Sequence, residues 1–450
     1  MIAGRIKSKY IVQDIRFNGG YFLNEDAVNS RVLEENSEQC SQLTELADVW
    51  NPPIFKRQFC QETERAIPYC QSSDVTNALE GSNVFINKIQ ATKVGSVVEE
   101  NQILITGFGT IGNTRLVNEL STGISYANNV CRVKAKEGVL HGYLYAVLTS
   151  KYGRSQLNKN ASGSVVRYIE APGIKKTLIP NLPEPKQQEI HNLIVEGSNL
   201  RVEANKLLNE AVECFNSLKI DYKYGTATSS KISISGISNG YKRFDSAYAI
   251  VSNLVEDTLQ SIQVDFVTIR SQSSGIFIGP RSKRNYVSSG TPFLSTSAMQ
   301  KANPTKADKF ISPKSADGFI VKEGWILTTR SGTLGDTVYT LPCISGYAVS
   351  EDAIRIVLKE DAQISNEYLF AFLKSSIGKS SLLSGSFGSV ILHLNENYIG
   401  DIKVPILAKE IIEEIEAKVG QHLKKMNEAI LKENKAIELV ENEIESWQKS

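Results

Sequence analysis

Long apolar runs are what this chain most plainly lacks. No stretch of its 450 residues approaches the length of about 20 that a membrane-spanning helix needs, and the opening MIAGRIKSKYIVQD has no hydrophobic segment of the secretory kind. The chain therefore reads as soluble and cytoplasmic. Histidine is scarce too: His141, His191, His393 and His422 stand singly, and the six cysteines (Cys40, Cys60, Cys70, Cys131, Cys214, Cys343) show no C-x-x-C pairing. This argues against a zinc site and leaves the thiols as reduced core residues. There is no G-x-x-x-x-G-K-[ST] loop and no nuclease-like carboxylate set, so no catalysis is expected of the chain alone. An excess of one charge is also missing, the net charge being +1.

What is present begins with ILITGFGTIG at residues 103–112, where Gly107, Gly109 and Gly112 have the G-x-G-x-x-G spacing that cradles a dinucleotide pyrophosphate. A second copy argues against that reading. WILTTRSGTLGDTVYTLPC at 325–343 repeats the apolar run and the G-T-[IL]-G core, with Arg330 in place of Gly107, and then runs β-branched and aromatic into Pro342. A tight phosphate turn would not be rebuilt with Arg, and Pro342 would interrupt a helix. The segment reads as strand, Gly turn, strand. Asn51-Pro52-Pro53-Ile54 is similar to the N-P-P-aromatic motif of amino-methylating DNA methyltransferases, but Ile54 cannot stack on a flipped base, so these residues read as a proline-rich turn.

The duplication extends along the chain. Arg16–Tyr21 is echoed by Arg243–Tyr248, Ala66–Val75 by Thr291–Met299, and Gly123–Ala127 by Ile344–Ala348. Gly142–Leu148 is matched by Glu367–Leu373, Gly163–Val166 by Gly388–Ile391, and Ile179-Pro180 by Val404-Pro405. Six collinear matches make two copies of one globular domain, each followed by a helical segment. After Pro183 and Pro185, an apolar or small stripe runs Ile190, Leu193, Gly197, Leu200, Ala204, Leu207, Ala211, Cys214, Leu218. The second stripe runs Leu423, Met426, Ile430, Ile437, Val440, Ile444, Trp447, broken only by Glu433. Such heptads predict an antiparallel pairing of the two helices; the alternative is that each lies on its own domain.

Charge divides by region. Residues 184–214 carry net −3 and residues 408–448 net −4, which leaves +8 on the remainder. Basic domains and acidic helices are the partition expected when domains meet phosphate and helices meet protein.

A tandem repeat of variable domain and long helix, with the G-[WD]-I-L-x-x-R-x-G-T-[IL]-G motif best kept at Glu323–Gly335, a downstream G-S-x-x loop and I-P or V-P before the helix, resembles the specificity (S) subunits of type I restriction–modification systems. The resemblance implies an α+β chain with a pseudo-twofold internal repeat: two tandem target recognition domains separated by two long antiparallel coiled-coil helices. The segments are a first recognition domain at 1–183, a central spacer helix at 184–220, a linker at 221–243, a second recognition domain at 244–407 and a C-terminal spacer helix at 408–450. It also implies a non-catalytic reader of double-stranded DNA that recognises two half-sites, with the spacer setting the gap. Its partners would be methyltransferase subunits, two in number, and restriction or motor subunits. Those partners would use S-adenosylmethionine, ATP and magnesium, while this chain holds no cofactor and no metal.

Loops bounded by the repeated motifs are rich in groups that donate to phosphate or read base edges. The DNA-binding candidates are Lys56, Arg57, Gln71, Ser72, Ser73, Asn113, Arg115, Ser164 and Arg167 in the first domain, and Arg281, Lys283, Arg284, Ser295, Thr296, Arg330 and Ser389 in the second. Arg330 stands out because Gly107 replaces it in the first copy; its alternative is a pairing with an acidic residue of its own domain. Two other functional readings stay open: a DNA-recognition subunit of a different methyltransferase or phage-defence complex, and a coiled-coil scaffold with no DNA role.

Overall fold

The computed structural model describes residues 6–14, 22–78, 82–162, 167–216, 264–307, 309–332, 334–388 and 392–448, with Val255, Leu259 and Gln260. The Arg16–Tyr21 and Arg243–Tyr248 echoes, the linker at 221–243, and loop residues 163–166 and 389–391 lie outside them. The chain forms two compact units, Met1–Val202 with Glu428–Ser450, and Glu203–Asn427.

In the first unit the run ILIT becomes the strand Ile103–Thr106, buried at all four positions. A strand reads as continuously apolar when both its faces are covered, and both are. Ile103 and Ile105 face the core formed with Val49, Val133 and the helix His141–Thr149. Leu104 faces the opposite way, onto Tyr126, Val130 and Val117. The antiparallel sheet has the order Ala47–Trp50, Val130–Ala135, Ile103–Thr106, Thr114–Leu116. A second four-stranded sheet runs Phe59–Cys60, Phe85–Asn87, Ala66–Cys70, Ser125–Tyr126, with its last pair parallel.

The second unit repeats both sheets. Ser273–Ile278, Ala353–Leu358, Ile326–Thr329 and Thr337–Tyr339 form the first, and Tyr286–Val287, Phe310–Ile311, Thr291–Leu294 and Ala348–Val349 the second, again with a parallel last pair. Between strands the glycines turn the chain through left-handed conformations that side chains rarely adopt, at Gly109 (φ 75°) and Gly112 (φ 79°) and again at Gly332 (φ 84°) and Gly335 (φ 80°). No helix follows either turn, so the G-x-G-x-x-G spacing belongs to a hairpin.

One repeat match shifts by two residues. Ser125 pairs with Tyr69 and Ala348 with Phe293, which makes Gly123 the counterpart of Gly346 rather than of Ile344. Both glycines have positive φ, and each donates its N–H to the carbonyl that precedes the turn, Val98 and Val321 respectively.

A buried arginine ties the two sheets together in each unit. Arg132 donates to the carbonyls of Ala127, Val130, Ser96 (3.0 Å) and Tyr126 (2.9 Å), and Arg355 to those of Ser350 (2.9 Å), Ala353 (2.6 Å), Phe319 (3.4 Å) and Val349. Burial pushes both guanidinium groups down to about 10. Carbonyl dipoles rather than a carboxylate offset the cost of burying each charge.

Two long helices, Glu184–Asn216 and Lys409–Ser446, carry the apolar stripes. In the first unit, Lys186 lies 3.8 Å from Glu443 and Lys432 2.9 Å from Glu196, an antiparallel register. In the second unit, Lys425 meets Glu203 at 2.6 Å and Lys418 meets Glu210 at 3.0 Å in the same sense. The helices also lie on their domains: Ile190, Ile194, Ala436, Val440 and Ile444 join the core of the first unit. In the second, Phe215 packs edge-on against Tyr368 and Phe372. Helix pairing and helix-on-domain packing therefore coexist.

Glu433, the exception in the stripe, is buried and accepts from Arg201 Nη2 at 2.5 Å and Tyr145 Oη at 3.1 Å. All six cysteines are free, but only Cys70 and Cys131 are buried; Cys60 is exposed on the short edge strand Phe59–Cys60, and Cys40, Cys214 and Cys343 are half-buried. The expectation that the thiols form core residues holds for two of them.

Candidate nucleic-acid interface

Each unit places a basic tetrapeptide against an aromatic ring of the second sheet. Lys56-Arg57-Gln58-Phe59 and Lys283-Arg284-Asn285-Tyr286 are equivalent by structure. Arg57 lies over the Tyr69 ring at 5.4 Å and Arg284 over the Phe293 ring at 5.1 Å. Phe59 packs edge-on against Tyr69 at 5.9 Å, as Tyr286 does against Phe293 at 6.0 Å. The backbone is held alike: the Gln58 N–H donates to Gln90 Oε1 and the Asn285 N–H to Ser315 Oγ. A guanidinium stacked on a ring keeps its edge N–H groups for other acceptors while losing little further freedom on binding.

Next to each stacked arginine stands a dipeptide that follows the parallel strand, Asn128-Asn129 in the first unit and Glu351-Asp352 in the second. Arg57 donates to Asn128 Oδ1 at 3.4 Å, and Arg284 pairs with Glu351 at 3.1 Å. The second residue of each dipeptide meets the start of the Gly turn. The Gly107 N–H donates to the Asn129 carbonyl at 3.0 Å, and the Arg330 N–H to the Asp352 carbonyl at 2.7 Å. Beside the turn stands an antiparallel bridge, Ser162 with Tyr168 in the first unit and Phe387 with His393 in the second. Phe108 stacks on Tyr168 at 5.4 Å.

The candidates named from sequence divide. Lys56, Arg57, Arg281 and Lys283 are exposed, Arg284 and Arg330 half-buried. Arg330 Nη1 stands 3.7 Å from Asp352 Oδ1, so the acidic neighbour offered as its alternative exists, at more than hydrogen-bond distance. Arg115 directs Nη1 to the carbonyls of Val75 (3.0 Å) and Asn77 (2.7 Å), and Arg167 donates to that of Asn158. Ser295 caps the helix Thr296–Met299, and Ser73 bonds Asp74 beside Gln71, whose N–H donates to the same carboxylate. Ser72 Oγ is buried without a partner. Asn113 donates its N–H to Thr106 Oγ1 inside the Gly turn. Ser164 and Ser389 lie outside the described residues. Asn128, Asn129, Glu351 and Asp352 were not among the candidates; aligning the repeat onward from Gly123 and Gly346 to Arg132 and Arg355 would have found them.

Among the described residues no group of His, Cys, Asp and Glu is placed to hold a metal ion, and no helix is long and apolar enough to cross a membrane. Compared with known proteins, the chain matches the type I restriction modification DNA specificity domain twice, over residues 35–213 and 279–439. No match is found among the curated proteins. Solved structures similar to it include the type I restriction–modification S subunit from M. genitalium, at 13% identity and a TM-score of 0.32, covering 91% of this chain and 94% of that one. The HsdS subunit from Thermoanaerobacter tengcongensis gives 13% identity and a TM-score of 0.29, over 91% and 95%. The type IIG restriction endonuclease BpuSI gives 11% and 0.31, over 42% and 30%.

Proposed function

We infer the working of this chain from the family to which it belongs, that of type I restriction–modification DNA specificity proteins: it is a DNA sequence-specificity subunit. The observation that carries the reading is the duplicated family match, which coincides with two units that repeat the same sheets, the same Gly turn and the same stacked arginine. On this reading each unit reads one half of a split target. Lys56, Arg57, Lys283 and Arg284 meet phosphate oxygens, which are alike in every sequence, and the loops around the Gly turns meet base edges.

The chain recruits rather than catalyses. Methyltransferase subunits, two of them about the internal repeat, would bring S-adenosylmethionine, and restriction subunits would bring ATP and magnesium. The acidic outer faces of Glu184–Asn216 and Lys409–Ser446 suit docking to protein rather than to DNA. The test is modular exchange in a complex reconstituted with its methyltransferase. Replacing residues 20–182 by the equivalent domain of a relative should change one half of the methylated sequence and leave the other intact; a change in both halves, or methylation by the chain without its partner, would sink this reading.

A further inference from the structure

Two copies of one domain in a single chain provide an internal comparison: what both copies keep serves something common to both half-sites, and what they exchange within the same backbone hydrogen bonds serves something that differs. The stacked arginine, its aromatic ring and the tetrapeptide around it are kept. Three neighbouring positions are exchanged together. Gly107, Asn128 and Asn129 in the first unit stand where Arg330, Glu351 and Asp352 stand in the second.

The exchange keeps the backbone hydrogen bonds. In the first unit, Gly107 donates to the Asn129 carbonyl and accepts from the Ile169 N–H at 2.8 Å; in the second, Arg330 donates to the Asp352 carbonyl and accepts from the Leu394 N–H at 2.8 Å. The side chains differ, and the local backbone path must differ with them, since a Cβ on Gly107 would come 2.5 Å from the Ile169 carbonyl oxygen and 2.9 Å from that of Asn129. Glu351 is taken up by Arg284, as Asn128 is by Arg57. That leaves Asn129 in one unit, and Arg330 with Asp352 in the other, as the chemistry that changes.

These groups are incompletely satisfied within their own domains. Asn129 Oδ1 and Arg330 Nε are closed to solvent and have no hydrogen-bond partner, and the 3.7 Å between Arg330 and Asp352 leaves both short of a hydrogen bond, with Asp352 nearly half exposed. Buried polar atoms without a partner are costly, so the Asn129 amide and the Arg330 guanidinium give up no hydrogen bond at these atoms by turning outward to a partner beyond the domain. The partners that fit are base edges in the major groove. A guanidinium donates a pair of N–H groups to guanine O6 and N7, and a carboxylate accepts from the amino group of the cytosine opposite. An amide accepts from the adenine amino group through its oxygen and donates to N7.

Resting on the specificity reading above, we propose that this exchanged position discriminates bases: Arg330 and Asp352 read a G·C pair in one half-site, and Asn129 reads an A·T pair at the equivalent point of the other. The kept arginines, Arg57 and Arg284, clamp phosphate at both.

The reconstituted methyltransferase complex tests it, with binding measured against a library of sites at several salt concentrations. Arg330→Ala and Asp352→Asn keep the backbone bonds and should relax one G·C position in one half-site, by about 5- to 100-fold in discrimination, with the salt slope unchanged. Asn129→Ala should relax one A·T position in the other half-site. Arg57→Gln should instead weaken binding to all sequences alike and lower the salt slope by about one. The proposal is overturned if folded Arg330→Ala keeps the wild-type preference, if it weakens all sequences equally with a reduced slope, or if the relaxed position is an A·T pair. A wild-type complex with no sequence preference at all would overturn the specificity reading itself, a different outcome.

Discussion

The buried trio of Arg201, Glu433 and Tyr145 gives a stability test whose control is built into the other half of the chain. By the repeat, the second unit has Met426 at the place of Arg201, Leu208 at that of Glu433 and Phe370 at that of Tyr145, so one fold holds the same three positions polar once and apolar once. Arg201→Ala removes the guanidinium from which the Glu433 carboxylate, at 4% exposure, accepts. Removing one partner of a buried ion pair costs about 3–5 kcal/mol, whereas an ion pair replaced whole by well-packed apolar groups is often neutral or about 1–4 kcal/mol stabilising. The triple replacement Arg201→Met, Glu433→Leu, Tyr145→Phe should therefore restore or exceed the wild-type urea midpoint that Arg201→Ala lowers. Circular dichroism against urea reads both. If Arg201→Ala lies within about 0.5 kcal/mol of wild type, or if the triple variant is as unstable as the single one, the trio is not an obligate unit and the argument fails.

Two further outcomes follow from buried groups. Burial, with the neighbouring His191 ring at 4.8 Å, holds His141 down to about 4, so the unfolded chain takes up a proton first: stability is fully present above about 6.5 and is lost as the pH falls toward 4. Unfolding midpoints of His141→Phe should be flatter than wild type across that window, and equal slopes would refute the assignment. Arg132→Leu removes charge-assisted bonds to the carbonyls of Ala127, Ser96 and Tyr126 at the join of two sheets, and although Ala127 and Ser96 keep the N–H groups of Val130 and Tyr126, each lost bond to a charged group costs about 1.5–3 kcal/mol, so this variant should lose more stability than Arg57→Gln at the surface; similar melting temperatures for the two would show that Arg132 does not hold the join.

Period and repetition carried the architecture. The apolar run before Gly107 and its copy before Arg330 were legible as strand, turn and strand because a strand covered on both faces is continuously apolar and a turn at positive φ calls for glycine. The helix stripes were legible because their spacing survives any detail of packing. Buried charge was not. Arg132 and Arg355 look like surface residues in C-R-V and I-R-I, since what admits them to the interior is a ring of carbonyls contributed by residues up to 36 positions away. Glu433 looked like an error in a stripe for the same reason: Arg201 and Tyr145 come from far along the chain. Arg57 and Arg284 were legible as candidates but their stacking was not, because a guanidinium and its ring, 12 residues apart in one copy and 9 in the other, have no periodic signature.

These two classes of feature divide the work of the domain. Backbone bonds from the Gly turn to the dipeptide after the parallel strand, and the arginine buried beneath them, fix where the Asn129, Arg330 and Asp352 side chains start. Because Gly107 and Arg330 donate to equivalent carbonyls at 3.0 and 2.7 Å, and Arg132 and Arg355 grip equivalent sets of carbonyls, the side chains at the rim contribute little to holding the domain together. A residue that bears little of the fold can be exchanged without refolding its neighbours. At Asn128 and Asn129, and at Glu351 and Asp352, the side chains can thus change while the backbone bonds stay, whereas Gly107 admits no side chain unless the Ile169 and Asn129 carbonyls move; a module whose recognition varies while its scaffold does not must vary at positions of the first kind.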